Sequence, residues 1–284
     1  MQLYIDYFAA NLFAASILVA IFSLLIGSFL NVVIHRLPIM MQREWDEQLN
    51  AQAADSTYNL LTPDSQCPQC EHKIRWYENI PVLSYVFVLR AKCSQCKKSI
   101  SFRYPCVELL SALLSIVIVY SFGFNFLTLC ALVFSWILIA LTFIDLDHFL
   151  LPDKLTLPLL WMGLLLNTVN TFTSLESAVY GAAAGYLSLW SVYWVFKLVT
   201  GKEGMGYGDF KLLAALGAWM GISALPMLIL ISSISGIIIA VIMSMTSKHE
   251  LNQPIPFGPY LTIAGFISLI WGPQITQSYL SFIL

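Results

Sequence analysis

Long, uninterrupted apolar runs constrain the fold of this chain more than any other feature. They lack the alternation of polar and apolar residues that is typical of a membrane-spanning strand, so they predict helices rather than a β-barrel. Helices and closed barrels are the only structures that satisfy every backbone polar group inside a bilayer. The eight predicted spans are 12–34, 106–122, 126–146, 155–171, 176–198, 210–223, 226–246 and 258–280.

The composition agrees with an all-α polytopic membrane protein. Of the 284 residues, 58% are hydrophobic and 11% are charged, whereas soluble domains carry roughly 25% charged residues. A net charge of −2 and the lack of a basic arm argue against nucleic acid as a partner. No basic segment precedes the first span and no small-residue cleavage site follows it, so we expect a retained helix rather than a signal peptide.

The Lys and Arg residues predict the orientation of the spans, because such residues are enriched in cytoplasmic loops. Nine of the 14 Lys and Arg residues lie between Arg36 and Arg103, and the other five are in or beside a segment on the same side. This distribution places the N-terminus outside. The cytoplasmic segments are then 35–105, 147–154, 199–209 and 247–257.

Two cysteine pairs lie in the one large polar segment, 35–105. They are CPQC, with Cys67 and Cys70, and CSQC, with Cys93 and Cys96. Four thiolates supplied by two tight turns are the ligand set of a tetrahedral zinc site, so we predict structural zinc. The alternatives are two disulfides or two redox-active dithiols, and a cytoplasmic location argues against stable disulfides. The other two cysteines lie in apolar runs, where we expect small buried hydrophobes: Cys106 and Cys130.

Carboxylates are rare in the apolar part of the chain, and ionisable groups at membrane depth are candidate functional residues. Asp145 closes the third predicted span and Asp209 opens the sixth. The predicted topology brings both to one edge of the membrane, where two carboxylates can share a proton. The ionised one would accept a proton from water while the neutral one polarises a peptide carbonyl. The alternative is that Asp209 only caps its helix.

Three glycines precede Asp209 in the stretch GMGYGDFKLL, residues 204–213. Alternating glycine lets the backbone turn sharply and lets a substrate backbone approach closely. A helix cap alone needs only one such residue. Gly206 and Gly208 are therefore predicted to support a site at Asp209.

Several stretches together resemble the bacterial type IV prepilin leader peptidases, which are bifunctional peptidases and N-methyltransferases and GxGD-type membrane aspartic proteases. Cys106 departs from the family pattern, in which an aliphatic residue is expected. The matching stretches occur in order over nearly the whole chain: GSFLNVVIHRLP (27–38), the two cysteine pairs, FRYPCVELL (102–110), IDLDHFLLPD (144–153), GMGYGDFKL (204–212) and PFGPYL (256–261).

The resemblance implies that Asp145 and Asp209 are the catalytic pair. In the family pattern the active aspartate stands eight residues before the last Asp of the LPD element, here Asp153, which favours Asp145 over Asp147. Two residues apart on a helix means roughly opposite faces. Asp147 is therefore expected to play a supporting part, orienting helices or pairing with Lys154.

The resemblance also implies substrates, a methyl donor and a location. The substrates would be prepilins and pseudopilins, whose short basic leader is cut at the cytoplasmic face of the bacterial inner membrane. S-adenosylmethionine would methylate the new N-terminal residue, at a site whose residues stay unassigned. The implied parts are a first transmembrane helix (1–34), a cytoplasmic zinc-binding segment (35–105) and a membrane-embedded aspartic peptidase domain of about seven helices (106–284).

Two other functions remain open from the sequence alone. A cation or proton transporter would line a path with Asp145, Asp147 and Asp209, and it favours carboxylates near mid-membrane and related halves of the chain. A zinc-bearing scaffold or thiol oxidoreductase leaves the glycine stretch unexplained.

Overall fold

The computed structural model describes residues 2–50, 58–67, 69–246 and 255–283, and these residues form helices and no β-strand. Lys248, one of the five basic residues beyond Arg103 that bear on the orientation, lies outside them. Short helical turns occur at Trp76–Asn79, Ser84–Val88 and Ile222–Ala224. The α-helices in the described part are α1 (Gln2–Ala10), α2 (Leu12–Asn50), α3 (Arg103–Phe122), α4 (Phe126–His148), α5 (Asp153–Asn167), α6 (Leu175–Thr200), α7 (Tyr207–Met220), α8 (Leu225–Thr246) and α9 (Gly258–Ile283).

The structure confirms an all-α chain with several membrane-spanning helices, but it does not confirm the count of eight. Although each predicted span coincides with a helix, α5 and α7 have only 15 and 14 residues, fewer than the roughly 20 that a straight crossing needs. Within the described residues, five helical segments are long and apolar enough to cross a bilayer: Leu12–Leu49, Arg103–Phe122, Phe126–His148, Leu175–Thr200 and Ile222–Ile242.

The chain divides into two compact units, Met1–Ala140 and Leu141–Leu284, and α4 contributes to both. The helix of the first predicted span continues to Asn50 and contains Pro38. The domain boundaries predicted after residues 34 and 105 stay predictions.

In the first unit, α3 packs along α2. The Ser23 hydroxyl donates a 2.8 Å hydrogen bond to the Ser115 hydroxyl, which also accepts a 3.3 Å bond from the Trp136 indole. Such pairs satisfy polar groups that lipid leaves without partners. Closer to the polar segment, a Cβ placed on Gly27 would stand 2.7 Å from the Cα atom of Glu108, so α2 and α3 can cross there only because residue 27 is glycine.

In the second unit, α7 is a buried central helix. Ten of its 14 residues are buried, and α5, α6 and α9 all pack against it. A helix that is apolar on every side belongs in an interior. The contact with α6 depends on small residues, because a Cβ on Gly217 would collide with the Gly181 carbonyl.

The end of α7 is fixed by a buried polar network. The Asn167 side chain donates to the carbonyls of Ala218 and Trp219 at 2.8 and 3.1 Å. Its oxygen accepts from the backbone N–H groups of Phe172 and Thr173 at 2.9 and 3.1 Å. One fully buried amide therefore satisfies carbonyls at the end of α7 and amides in the loop after α5.

Candidate functional site

Asp209 lies in the first turn of α7 and is 6% exposed. Its Oδ2 atom accepts a 3.2 Å hydrogen bond from the N–H of Gly206, the N-cap residue, and the Asp209 N–H donates back to the Gly206 carbonyl. The carboxylate is thus held at a helix start, where negative charge is favourable. Asp209 therefore does cap its helix, but only its Oδ2 atom is used for this.

Asp145 lies in the last turn of α4 and is 5% exposed. Its Oδ2 atom accepts a 2.9 Å hydrogen bond from the backbone N–H of Gly258, the first residue of α9. A Cβ on Gly258 would stand 2.6 Å from that oxygen, so no larger residue fits without displacing the carboxylate.

The two aspartates are brought together in the second unit, where their side chains interact electrostatically. Each carboxylate uses Oδ2 for one backbone N–H group. Within the described residues, no hydrogen bond occupies either Oδ1 atom. Asp147 is exposed, in contrast to this buried pair. Two buried carboxylates, each oriented through one oxygen, leave the other oxygens for a water molecule or a peptide group.

Leu151, which is 6% exposed, packs against Gly208, the residue before Asp209, and against Gly258, whose N–H group binds Asp145. A Cβ on Gly208 would stand 2.7 Å from the Leu151 Cβ, and a Cβ on Gly258 would stand 3.1 Å from its Cδ2 atom. The leucine therefore requires glycine at residue 208, whereas at residue 258 its contact is tight but could be relieved by a small shift of its end. Sequence reasoning missed Leu151 and Gly258: each was quoted in a family stretch, but nothing nearby in sequence indicates the contact.

None of the three glycines before Asp209 has the positive φ that favours glycine over other residues. Positive φ occurs at other glycines, and the Gly206 backbone is extended, with φ −81° and ψ 149°. At two of these positions a close neighbour explains the glycine. A Cβ on Gly204 would meet the Phe196 ring at 2.8 Å, and Gly208 packs against Leu151 as described above. At Gly206 a Cβ would make an ordinary 3.6 Å contact.

An ion pair links α7 to the start of α5. The Lys211 ammonium donates to both oxygens of Asp153 at 2.7 and 2.8 Å. Asp153 therefore joins the start of α5 to α7 through Lys211. Both groups are partly exposed, so the pair contributes little to stability and mainly helps to fix the position of α5 relative to α7.

The four predicted metal ligands come together in the first unit. The sulfur atoms of Cys67, Cys70, Cys93 and Cys96 all lie within 4.8 Å of one another. Two of the distances, Cys67 to Cys96 and Cys70 to Cys93, are 3.9 Å. Zn–S bonds of about 2.3 Å give sulfur separations of about 3.8 Å in a tetrahedron. The residues therefore fit a four-thiolate metal site, and the sulfurs are too far apart for a disulfide bond of about 2.0 Å.

The two cysteine pairs lie in turns of the same design. In the first turn the Cys67 N–H donates to the His72 carbonyl, and in the second the Cys93 N–H donates to the Lys98 carbonyl, each at 2.9 Å. An isolated β-bridge closes each turn. Hydrogen bonds from the backbone N–H groups of Cys96 and Gln95 lower the pKa of the Cys93 thiol to about 6. These bonds favour the thiolate of Cys93, the form in which a cysteine binds metal.

Two family models match the chain. A family model described as the bacterial peptidase A24 N-terminal domain matches residues 21–122, and a model described as the type IV leader peptidase family matches residues 132–241. No solved structure matches the chain.

Curated relatives match over almost the full length. A protein of Stutzerimonas stutzeri is 55% identical over 98% of both chains. One of Aeromonas salmonicida is 56% identical over 94% of both, and one of Neisseria gonorrhoeae is 50% identical over 88% of both. All three are named prepilin leader peptidase/N-methyltransferase. These names support the peptidase interpretation and not the transporter alternative.

Proposed function

Because the chain belongs to the type IV leader peptidase family, we propose that it is a membrane aspartic endopeptidase. It removes the short basic leader from type IV prepilins and pseudopilins and N-methylates the new N-terminal residue. The buried pair of Asp145 and Asp209 is the observation that carries the peptidase part.

Hydrolysis needs one carboxylate of this pair ionised and the other protonated. The ionised carboxylate accepts a proton from the attacking water, and the protonated one donates a hydrogen bond to the peptide carbonyl as charge develops on its oxygen. Close like charges favour this singly protonated pair. The N–H groups of Gly206 and Gly258 hold the two carboxylates in place, and Gly208 admits Leu151 behind them. Asp147 remains a predicted supporting residue at the end of α4.

The four clustered cysteines would hold structural Zn²⁺, which ties the two turns into one unit. S-adenosylmethionine, when bound, supplies the methyl group. The Lys and Arg distribution supports a bacterial inner-membrane location with segment 35–105 in the cytoplasm. The leader of a prepilin then meets the enzyme on that face.

The test is cleavage of a prepilin by the full-length enzyme in lipid nanodiscs, followed by mass measurement of the product's N-terminus. Asp145→Asn and Asp209→Asn each lower the cleavage rate on the order of 1,000-fold or more, because a neutral amide can neither accept nor donate the catalytic proton. Glu176→Gln, an exposed carboxylate at the start of α6, is the matched control and cleaves like the wild type. Cleavage by both aspartate variants at the wild-type rate would refute the assignment.

A further inference from the structure

Glu78 is a buried carboxylate that the chemistry proposed above does not use. It lies in the helical turn Trp76–Asn79, between the two cysteine turns in sequence, and is 7% exposed. Its Oε2 atom accepts a 2.9 Å hydrogen bond from the backbone N–H of Arg75. Glutamate is almost never buried unless it is paired, so the remaining contacts of Glu78 indicate what it does.

The remaining contacts of Glu78 reach both cysteine turns. In the first turn, the Nε2 atom of His72 lies 3.7 Å from Glu78 Oε2. The carbonyl of the same histidine accepts the hydrogen bond from the Cys67 N–H group that closes this turn. In the second turn, the hydroxyl of Ser94, the residue after Cys93, donates a hydrogen bond to the Glu78 carboxylate. One buried carboxylate thus contacts a side chain of each turn.

The segment that carries Glu78 is also tied to α3. Further along this segment, the Val82 N–H donates a 2.8 Å hydrogen bond to the Oε2 atom of Glu108, a buried residue of α3. Val82 has a φ of +57°. This conformation is rare for a β-branched residue and persists only where the surroundings hold it. The contacts of Glu78 and Glu108 therefore connect the cysteine turns to a helix that can cross the membrane.

We propose that Glu78 is a positioning residue for the metal centre, which holds the two cysteine turns at the separation that one Zn²⁺ requires and joins them to α3. The inference rests on the zinc part of the proposed function. Outer contacts that orient metal ligands typically change metal affinity about 10- to 100-fold when they are removed. A bridge between the turns reduces the ordering that metal binding must otherwise provide.

The negative charge of Glu78 gives this role a distinctive sign. Four thiolates around one Zn²⁺ leave a negatively charged centre, and a nearby carboxylate repels it. If Glu78 acted through its charge alone, its removal would strengthen metal binding. A bridge predicts the opposite, because without the carboxylate the Ser94 hydroxyl and the Arg75 N–H lose their acceptor and the two turns lose a shared contact.

The first test measures the zinc affinity of the full-length enzyme in lipid nanodiscs, by competition with a chromogenic chelator. Glu78→Gln should weaken zinc binding about tenfold or more, because an amide has one acceptor oxygen where the carboxylate has two. With Co²⁺ in place of zinc, the variant should keep the absorption of a tetrahedral thiolate site at saturating metal. Unchanged or tighter zinc binding would overturn the proposal, and so would loss of that absorption, which would show a general folding defect.

Variants of Ser94 test the bridge from its other end. Ser94→Ala should weaken zinc binding about threefold or more, and Ser94→Thr, which keeps the hydroxyl, should restore it. When combined with Glu78→Ala, Ser94→Ala should weaken binding no further, because the contact is already lost. Additive effects would mean that the two side chains act independently, and they would overturn the bridge.

Two control variants separate the bridge from nearby charge and from surface contacts. Glu71→Gln removes an exposed carboxylate next to Cys70. Gln69→Ala removes an exposed hydrogen bond between the turns, which Lys98 donates to Gln69. Both variants should bind zinc within about twofold of the wild type. Weakening by either one to the level of Glu78→Gln would show that the effect is not specific to the bridge and would overturn the proposal.

The link to α3 has a readout of its own. Removal of zinc from the wild type should speed amide hydrogen exchange in residues 76–89, which include Val82, because the segment loses its anchor at the metal centre. Exchange that does not respond to zinc would overturn this link.

The measurements separate this inference from the proposed function. If the wild type binds zinc and Glu78→Gln binds it equally well, the role of Glu78 fails and the zinc proposal stands. If the wild type binds no zinc, the zinc proposal fails and the role of Glu78 fails with it, whereas the aspartate test of the peptidase is unaffected.

Discussion

The N–H group of Gly258 donates a 2.9 Å hydrogen bond to the Oδ2 atom of Asp145, and the space at Gly258 admits no side chain. The start of α9 therefore acts on the last turn of α4 as Gly206 acts on Asp209: a helix-start amide holds a carboxylate. Both candidate catalytic groups are thus oriented by backbone N–H groups, which, unlike side-chain donors, have no rotamers.

Gly258→Ala should lower the rate of prepilin cleavage about tenfold or more, because the new Cβ would stand 2.6 Å from the Asp145 oxygen and small misplacements of catalytic groups are costly. Gly272→Ala is the matched control on the same helix, where a Cβ would meet nothing within 4 Å. Steady-state cleavage kinetics measure both. Equal rates for the two variants would contradict this role of Gly258.

Gly208→Ala should destabilise the protein by about 1–3 kcal/mol, because the added methyl group overpacks the site against the Leu151 Cβ. Gly206→Ala should cost less, since its backbone is extended and its Cβ contact is ordinary. Thermal unfolding in detergent ranks the two. Leu151→Gly, which removes the Cβ atom that the new methyl group meets, should show a favourable coupling of about 1 kcal/mol with Gly208→Ala in a double-mutant cycle. Strictly additive effects would show that the two residues do not collide.

Cys67→Ser should abolish stoichiometric metal binding and expose residues 69–101 to proteolysis, because a structural metal contributes folding energy directly. Cys106→Ser changes a cysteine outside the cluster and should retain the metal. Elemental analysis and limited proteolysis give the two readouts. Purified wild-type protein without any bound metal would remove the zinc proposal.

Asn167→Ala should destabilise the second unit by about 3 kcal/mol, because two carbonyls and two N–H groups lose a buried partner. Thr168→Ala is the neighbouring control: its hydroxyl is exposed and bonds only the Leu165 carbonyl, so the change should stay within about 0.5 kcal/mol. Thermal unfolding with a matched detergent tests the difference. A similar loss for both variants would mean that the Asn167 network is dispensable.

The apolar runs predict every long helix of this chain, because continuous hydrophobicity is a local property of the sequence. They do not predict how many helices span the bilayer. After Lys211, α7 is apolar on all sides, a pattern that fits a helix crossing a membrane and a helix inside a protein equally well. Only the folded chain shows that it starts at Tyr207 and ends at Met220. The sequence pattern does not separate these two cases, so the count of eight spans stays a prediction.

The candidate site divides in the same way. The cysteine cluster follows from spacing alone, because each pair lies within one tight turn. The pairing of Asp145 with Asp209 required the topology, and the choice of Asp145 over Asp147 as catalytic residue remains a prediction. The Gly258 bond joins residues 113 positions apart, so no local pattern can encode it. The glycines before Asp209 looked like a flexible turn because sequence does not distinguish freedom of φ from lack of space.

Leu151 touches the backbone behind both acids, at Gly208 and at Gly258. One aliphatic side chain thus contacts both helix starts of the proposed reaction centre, that of α7 and that of α9. A substitution that changes the size of this side chain would therefore alter the packing beside both acids at once.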